Sequence, residues 1–219
     1  MTILEAIEAR HSVRQYQNRP LAQEVIAALE DEIALCTAQS GLHIQLVTDE
    51  PKAFGGMMSR NFVGVTSYLA LVGKKGDGLE EACGWYGERL VLKAQQLGLN
   101  SCWVALTFHK VKGAFAVGPD EKLCLVVALG YGKTQGLPHQ SKPLAEVAGC
   151  EGPMPDWFRR GVEAALLAPT AINQQKFRFE LRDGRVTAKA LAGPCTGIDL
   201  GIVKYHFEAA AGKENFAWG

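Results

Sequence analysis

Apolar residues recur every three or four positions in several stretches of the chain, the spacing that predicts amphipathic helices. The first stretch is TILEAIEAR, where Thr2 and Glu5 form a capping box at the helix start. LAQEVIAALEDEIALCTA follows after a break that ends at Pro20. Further helices are predicted over residues 79–99, 156–168 and 198–212.

Shorter stretches have the character of β-strands. HIQLV (43–47) alternates as a half-buried strand does, and YLALVG (68–73), SCWVAL (101–106) and KLCLVVALGYG (122–132) also predict strands, the last with a continuous apolar run. KFRFELRDGRVTAKAL predicts a hairpin that turns at Asp183-Gly184. Residues 132–155 are rich in Gly, Pro and polar groups and predict a linker, which divides the chain into lobes over 1–150 and 151–219.

The two halves share a helix–strand–strand–helix order. An offset of 133 residues places IALCTAQSGLHIQLV (33–47) on residues 166–180. An offset of 114 places the helix WYGERLVLKAQQLG (85–98) on DLGIVKYHFEAAAG (199–212), so that Gly87 meets Gly201. The shared order favours an internal duplication.

Composition and charge argue against several classes of protein. The 219 residues carry 23 Lys and Arg against 23 Asp and Glu, a balance that argues against nucleic-acid or membrane-surface partners. No apolar run approaches the roughly 18 residues of a membrane span, and the N-terminus does not read as a signal peptide. The six cysteines form no CxxC pair and no zinc-like spacing with histidine, so we expect no metal site and free thiols in a reducing cytoplasm.

GYGKT (130–134) follows a predicted strand and looks like a phosphate-binding loop, but its surroundings do not fit one. A Walker A loop needs Gly at the position of Val127, and a dinucleotide fingerprint needs Gly at the position of Gln135. Pro138 also prevents a helix from beginning there. A P-loop phosphohydrolase is therefore disfavoured, and we expect a strand end followed by a turn.

The segment Arg10–Arg14, RHSVR, is a candidate anion site. In extended geometry Arg10, Ser12 and Arg14 point to the same side and present two guanidinium groups and a hydroxyl, which suit a phosphate monoester. The alternative is that two arginines near a helix end meet only solvent or the last helix carbonyls.

The loop APTAINQQ (168–175) is a second candidate. Pro169 stops the preceding helix, and Thr170, Asn173 and Gln175 crowd a hydroxyl and amides into a short connection. Such groups can hydrogen-bond a heteroaromatic ring, or they can form an ordinary polar connection.

EARHSVRQY, GWYGERLVLKAQQLGLNSCWV, SKPLAEV and LLAPTAINQQKF together resemble the FMN-dependent nitroreductase family over nearly the whole chain. The common form of that family is a homodimer with FMN at the subunit interface, and its A-P-S-x-x-N-x-Q loop soon follows R-x-S-x-R. Here residues 36–42 read CTAQSGL and the intact loop lies in the second half. The chain thus resembles a single-chain variant whose two pseudo-symmetric lobes mimic the homodimer. The implied fold is α+β, a mixed and mostly antiparallel sheet flanked by helices, in a monomer with one FMN.

The resemblance also implies the residues that hold FMN. The matching positions are Arg10, His11, Ser12 and Arg14 for the phosphate and ring edge, Val104, Ala105 and Leu106 for backbone near the reactive N5, Ser141 and Lys142 (with His139) for the phosphate, and Pro169, Thr170, Ala171 and Asn173 for the loop usually supplied by a partner subunit. Arg14 and His139 are candidates for a positive group near the N1–O2 edge of the ring.

The implied activity is that of an FMN-dependent oxidoreductase. NADH or NADPH reduces FMN, leaves, and a small nitroaromatic- or quinone-like acceptor enters the same pocket. Because the flavin carries the hydride chemistry, no catalytic side chain is expected. The main alternative is a non-catalytic flavin-binding protein, which the bulk of Leu106 favours. Reductive dehalogenation and flavin breakdown are further alternatives within the family's chemistry.

Overall fold

Six helices and two four-stranded sheets form the chain, described over residues 1–219 in a computed structural model. The helices are α1 (Ile3–Ala9), α2 (Gln23–Ser40), α3 (Leu79–Gln96), α4 (Leu144–Val147), α5 (Asp156–Leu166) and α6 (Thr196–Ala211). The strands are β1 (His43–Val47), β2 (Ser67–Lys74), β3 (Asn100–Val104), β4 (Glu121–Gly130), β5 (Ala148–Cys150), β6 (Phe177–Arg182), β7 (Arg185–Ala190) and β8 (Ala217–Trp218). The predicted α+β class is confirmed.

The first sheet is wholly antiparallel, in the order β1-β2-β4-β3. The second has the order β5-β6-β7-β8, with β6 and β7 antiparallel and the two outer strands parallel to their neighbours. The β6–β7 hairpin turns at Asp183 and Gly184, which both have positive φ (48° and 71°), as a two-residue hairpin requires. The mostly antiparallel character is as predicted, divided between two sheets.

The sequence predicted most accurately the elements that a capping side chain or an alternation of apolar and polar residues marks. The capping box of α1 is present, with Thr2 Oγ1 accepting from the Glu5 amide and the Glu5 carboxylate accepting from the Thr2 amide. Helix α2 continues through Ser40, two residues beyond the predicted end at Ala38, and Gly41 is its C-cap, so most of the segment 36–42 is helix.

The predicted linker over 132–155 is also corrected. It contains α4 and β5, and β5 pairs with β6 in the second sheet. A boundary after residue 150 therefore separates β5 from the sheet in which it lies.

Helices α3 and α6 pack together between the sheets, α3 against the first and α6 against the second. A core of 34 buried residues draws on both halves of the chain, so the lobes share one hydrophobic interior. A second cluster of 15 covers the opposite face of the first sheet. None of the helices has both the length and the apolar character needed to span a lipid bilayer.

Candidate functional site

A cavity of about 430 Å³ lies where the segment after α1 meets the loop after α5. This volume is within the range of about 300–1,000 Å³ that small-molecule sites occupy. Its lining residues are Arg10, His11, Ser12, Arg14, Gly136, Leu137, Pro138, His139, Pro169, Thr170, Ile172 and Asn173. The tertiary structure thus brings together the two candidate segments from opposite ends of the sequence.

The RHSVR segment forms one wall in extended backbone. After Arg10 ends α1, Ser12 pairs with Ser101 in an isolated parallel bridge, and the Val13 amide donates to the Ser101 carbonyl (2.9 Å). Val13 turns into the second core cluster. The alternation therefore leaves Ser12 and both arginines on the cavity side, as the sequence predicted.

The two arginines differ in their surroundings. Arg10 is only 3% exposed, and its Nη2 donates to the Leu167 carbonyl (3.3 Å) while its Nε lies 3.8 Å from the Glu88 carboxylate. Arg14 is exposed and pairs with no carboxylate of the chain. A ligand in the cavity would therefore meet an exposed, unpaired guanidinium group at Arg14 and a buried one at Arg10 that is already bonded to the protein.

Buried polar groups hold Arg10 in place. Glu88 on α3 accepts from the Trp103 indole N–H (2.9 Å) and lies 2.8 Å from Nε2 of His206. Nδ1 of His206 in turn contacts the Ala164 carbonyl of α5 (3.0 Å). The network ties α3, α5 and α6 to the first arginine of the cavity.

Two histidines, His11 and His139, also line the cavity. Burial, and then the positive charges of Arg10 and His139, hold the pKa of His11 below its ordinary value. A bound anion would oppose these effects and favour the protonated form of His11.

The last carbonyls of α5 also find their partners beside the cavity. The His139 Nε2–H and the Ser141 hydroxyl both donate to the Leu166 carbonyl (2.8 and 3.1 Å), and Arg10 donates to that of Leu167. These groups satisfy carbonyls that a helix end leaves without partners. Ser141 does not line the cavity, so the structure places its hydroxyl on the helix and not in the cavity.

Lys142 contacts the loop after α5, which forms the second wall of the cavity. Its backbone N–H donates to Oε1 of Gln175 (2.8 Å) and its Nζ to the Gln175 carbonyl (3.2 Å), and it does not line the cavity. Gln175 also donates to Gln140 O (2.9 Å) and to Oδ1 of Asn173 (3.0 Å), while Asn173 Nδ2 donates to Gln140 O (3.0 Å). These amides bind the loop after α5 to the segment before α4.

Asp199 on α6 anchors the same loop from below. Its carboxylate accepts from the Ala171 amide (3.0 and 3.2 Å) and from Gln174 Nε2 (2.7 Å). Burial raises the pKa of Asp199, although both hydrogen bonds act to lower it. Ala171 is therefore held by its amide and does not itself line the cavity.

The loop adopts unusual backbone conformations. The φ angles of Ile172, Asn173 and Gln175 are 48°, 55° and 45°, all in the left-handed region. The conformational energy of this region is highest for a β-branched residue such as Ile. The Ile172 side chain is 89% exposed at the cavity. On the opposite segment Leu137 is 84% exposed, so two apolar side chains stand beside a basic site.

The segment after β3 does not reach this site. Val104 is buried in the second core cluster, and Leu106 is 78% exposed. Val104, Ala105 and Leu106 are all absent from the cavity lining. The structure therefore does not bring them together with the other predicted site residues.

Comparison with known proteins identifies the family. A family model described as "Putative TM nitroreductase" matches residues 2–211. The chain belongs to this nitroreductase family. It is therefore an oxidoreductase of the nitroreductase type. A search of curated proteins found no match.

Solved structures of nitroreductases share the fold. A "putative nitroreductase" from Thermotoga maritima is 23% identical, with a TM-score of 0.66 over 96% of this chain and 83% of that one. A "putative nitroreductase in complex with FMN" from Desulfovibrio desulfuricans is 19% identical, with a TM-score of 0.55 over 71% of this chain and 99% of that one. A "Putative NADH dehydrogenase/NAD(P)H nitroreductase" from Parabacteroides distasonis is 21% identical, with a TM-score of 0.54 over 66% and 95%.

Several residues in the site of this nitroreductase-family chain were not predicted from the sequence. Gly136, Leu137 and Pro138 lie in the predicted linker, yet they line the cavity. Gly136 has φ of 77°, and a Cβ there would lie 2.7 Å from Cβ of His11, so only glycine lets the segments approach this closely. Asp199 was not predicted either, although a carboxylate on an otherwise apolar helix face could have indicated it.

Proposed function

We propose that the chain binds FMN in this cavity and uses NADH or NADPH to reduce a small nitroaromatic- or quinone-like acceptor. The observation that carries the proposal is the joint presence of a basic region around Arg10, Arg14 and His11 and of exposed apolar side chains at Leu137 and Ile172. This donor set fits a molecule that has a phosphate and a flat, largely apolar ring system. The nitroreductase from Desulfovibrio desulfuricans holds FMN, which supports the same assignment here.

The residues of the chain would bind, orient and shelter the cofactor. Arg14 has no competing carboxylate and is free to pair with a phosphate, while Ser12 and Thr170 offer hydroxyls. Burial of Leu137 and Ile172 against a ring would remove apolar surface from water, which stabilises binding by up to about 1.5–3 kcal/mol per side chain. FMN, when bound, supplies the hydride chemistry, so no side chain is needed as acid or base.

We also propose that one chain forms the complete site as a monomer with a single FMN, because both walls of the cavity come from the same chain. The FMN-bound nitroreductase supports this: 99% of its length corresponds to only 71% of this chain, which leaves the remainder to serve as the partner's share. Sedimentation equilibrium with flavin quantification tests it. A tight homodimer, or two FMN per chain, would contradict it.

The non-catalytic alternative depended on the bulk of Leu106 above the flavin. Leu106 is exposed and outside the cavity lining, so no structural observation favours that alternative.

The deciding experiment is the visible spectrum of the purified protein, with FMN added if needed, followed by anaerobic NADH and then NADPH. We expect a flavin spectrum that bleaches with one donor or both. Arg14→Gln should weaken FMN retention at least tenfold, whereas Lys133→Gln, an equal charge change at an exposed residue outside the cavity lining, should not. A protein that takes up no FMN would refute the site, and bound FMN that stays oxidised would refute the activity.

A further inference from the structure

A buried histidine contacts the carboxylate that faces Arg10. His206 on α6 and Glu88 on α3 are both fully buried, and Nε2 of His206 lies 2.8 Å from Oε1 of Glu88. The same oxygen lies 3.8 Å from Nε of Arg10. His206 and Arg10 therefore face one carboxylate oxygen, and only His206 is close enough to form a hydrogen bond with it.

The other contacts of the network fix this arrangement. Nδ1 of His206 donates to the Ala164 carbonyl (3.0 Å), because a carbonyl oxygen can only accept, so the imidazole is held at both ring nitrogens. Oε2 of Glu88 accepts from the Trp103 indole N–H (2.9 Å). With one oxygen bound to Trp103 and the other to His206, the carboxylate cannot move onto Arg10 without losing a hydrogen bond.

Arg10 consequently keeps N–H groups that no acceptor of the chain uses. Its Nε is buried without a hydrogen-bond partner, and its hydrogen bond within the chain runs from Nη2 to the Leu167 carbonyl (3.3 Å). At 3.8 Å Glu88 balances the charge of Arg10 without forming the charge-assisted hydrogen bond of about 2.7–2.9 Å that an arginine and a carboxylate make in direct contact. The guanidinium therefore stays at the cavity that Arg10 lines.

We propose that His206 is a positioning residue that holds Glu88 away from Arg10 and so keeps the Arg10 guanidinium free for the phosphate of a ligand. The inference rests on the proposed function, in which this cavity binds FMN. Without His206, Oε1 of Glu88 lacks a hydrogen-bond partner, and a movement of about 1 Å onto Nε of Arg10 restores one. The closer pair neutralises Arg10 more fully and draws its charge away from the cavity. His206 thereby makes the cavity favour a flavin that carries a phosphate.

The test compares FMN with riboflavin, which has the same ring system and no phosphate. His206→Leu removes both hydrogen bonds of the imidazole at similar volume. It should weaken FMN binding roughly tenfold or more and leave riboflavin binding within about twofold, measured by quenching of flavin fluorescence. A merely structural role of His206 would weaken the binding of both flavins alike.

Two further variants separate the two hydrogen bonds of His206. His206→Gln places an amide N–H near the position of Nε2, within reach of Glu88, and should keep FMN affinity within about threefold of the wild type. His206→Asn keeps a donor near Nδ1 for the Ala164 carbonyl but does not reach Glu88, so it should weaken FMN binding as His206→Leu does. It also replaces the leucine variant if circular dichroism shows that variant to be unfolded.

A measurement on the flavin-free protein separates this proposal from the proposed function. In proton–nitrogen NMR spectra of the arginine side chains, the Arg10 Nε–H signal, assigned with Arg10→Lys, should move downfield in His206→Leu and in His206→Asn as the carboxylate closes on it. It should stay in place in His206→Gln. A wild type that binds no flavin would refute the proposed function, and the Arg10 signal would still decide the role of His206.

His43→Leu is the matched control. Nδ1 of His43 lies 3.0 Å from the Glu121 carboxylate, so the same kind of pair is removed from a place outside the cavity lining. Its loss should change neither the binding of the two flavins nor the Arg10 signal. The proposal is overturned if the Arg10 signal does not move in the variants that lose the contact with Glu88. It is equally overturned if both flavins lose affinity to the same extent, or if His206→Gln behaves as His206→Asn does.

Discussion

Gly84 of α3 and Gly201 of α6 lie at the same helix crossing, each against the backbone of the other helix. A Cβ on Gly84 would overlap the carbonyl oxygen of Ile198, and a Cβ on Gly201 would overlap that of Glu81. Each contacted carbonyl precedes the opposite glycine by three positions, so the contact is reciprocal, as across a two-fold axis. The helices therefore correspond at an offset of 117 residues (201 minus 84), not the 114 that aligns Gly87 with Gly201. This reciprocity supports the proposed duplication.

Gly84→Ala and Gly201→Ala should each destabilise the protein by more than about 2 kcal/mol, because the added methyl group forces two backbones apart. Gly197→Ala on the same α6 is the control. Its Cβ would meet the Glu80 side chain, with Oε2 at 2.8 Å and Cβ at 3.1 Å, and no backbone atom is among its nearest neighbours, so the movable carboxylate can give way. Urea unfolding measures all three variants. If Gly84→Ala is as stable as Gly197→Ala, the helices do not cross as described.

Glu88→Gln should lower the free energy of unfolding by roughly 3–5 kcal/mol, because it leaves the buried Arg10 guanidinium without a counter-charge. It should also weaken FMN retention, since Arg10 lines the cavity. Glu163→Gln on α5 is the control, because its pairing with Arg159 is exposed and its loss should not change stability measurably. Equal unfolding curves for the two variants would contradict a structural role for the buried pair.

Ile172→Asn should stabilise the protein by about 1 kcal/mol, because Asn tolerates the positive φ that a β-branched residue resists. The exposed Ile side chain contributes little packing in the free protein, so its loss costs little. The same change should weaken FMN binding by removing an apolar contact with the ring. Ile172→Val keeps the β-branch and the strain and should leave the thermal midpoint unchanged. An Asn variant no more stable than the Val variant would mean that the loop is not strained at this residue.

FMN affinity should increase as the pH falls from about 8 to about 6, because anion binding favours protonation of His11. The stability of the free protein depends on pH in the opposite direction, because the folded state lowers the pKa of His11. The unfolded state takes up the proton first, so the stability contributed by neutral His11 is lost as the pH falls through the ordinary pKa of about 6.5 towards the lower folded value. His11→Gln should make FMN affinity depend less on pH. The titration of the FMN phosphate contributes to the pH dependence of both proteins and should remain in the variant. Superimposable profiles for the two proteins would remove His11 from the site.

The sequence predicted the parts of the fold that neighbouring residues control. The bounds of β1 coincide with the predicted 43–47, the capping box of α1 is present, and the hairpin turns at Asp183 and Gly184. These features depend on alternation, on a side chain that reaches three residues along the chain, and on backbone preference in a tight turn. Family motifs then indicated the RHSVR and APTAINQQ segments, which the structure brings around one cavity.

Only the tertiary structure decided how the segments meet. Ser141 and Lys142 bind α5 and Gln175 instead of lining the cavity, and Leu137 lines it from a segment predicted to be a linker. A β-bulge turns Cys124 to the α3 side of the first sheet, and this bulge depends on the pairing register of β2 and β4. The sequence by itself determined which elements form and which chemical groups are present, because those depend on short-range periodicity and residue type. The partners of those groups depend on contacts between residues far apart in the chain, and local pattern carries no record of such contacts.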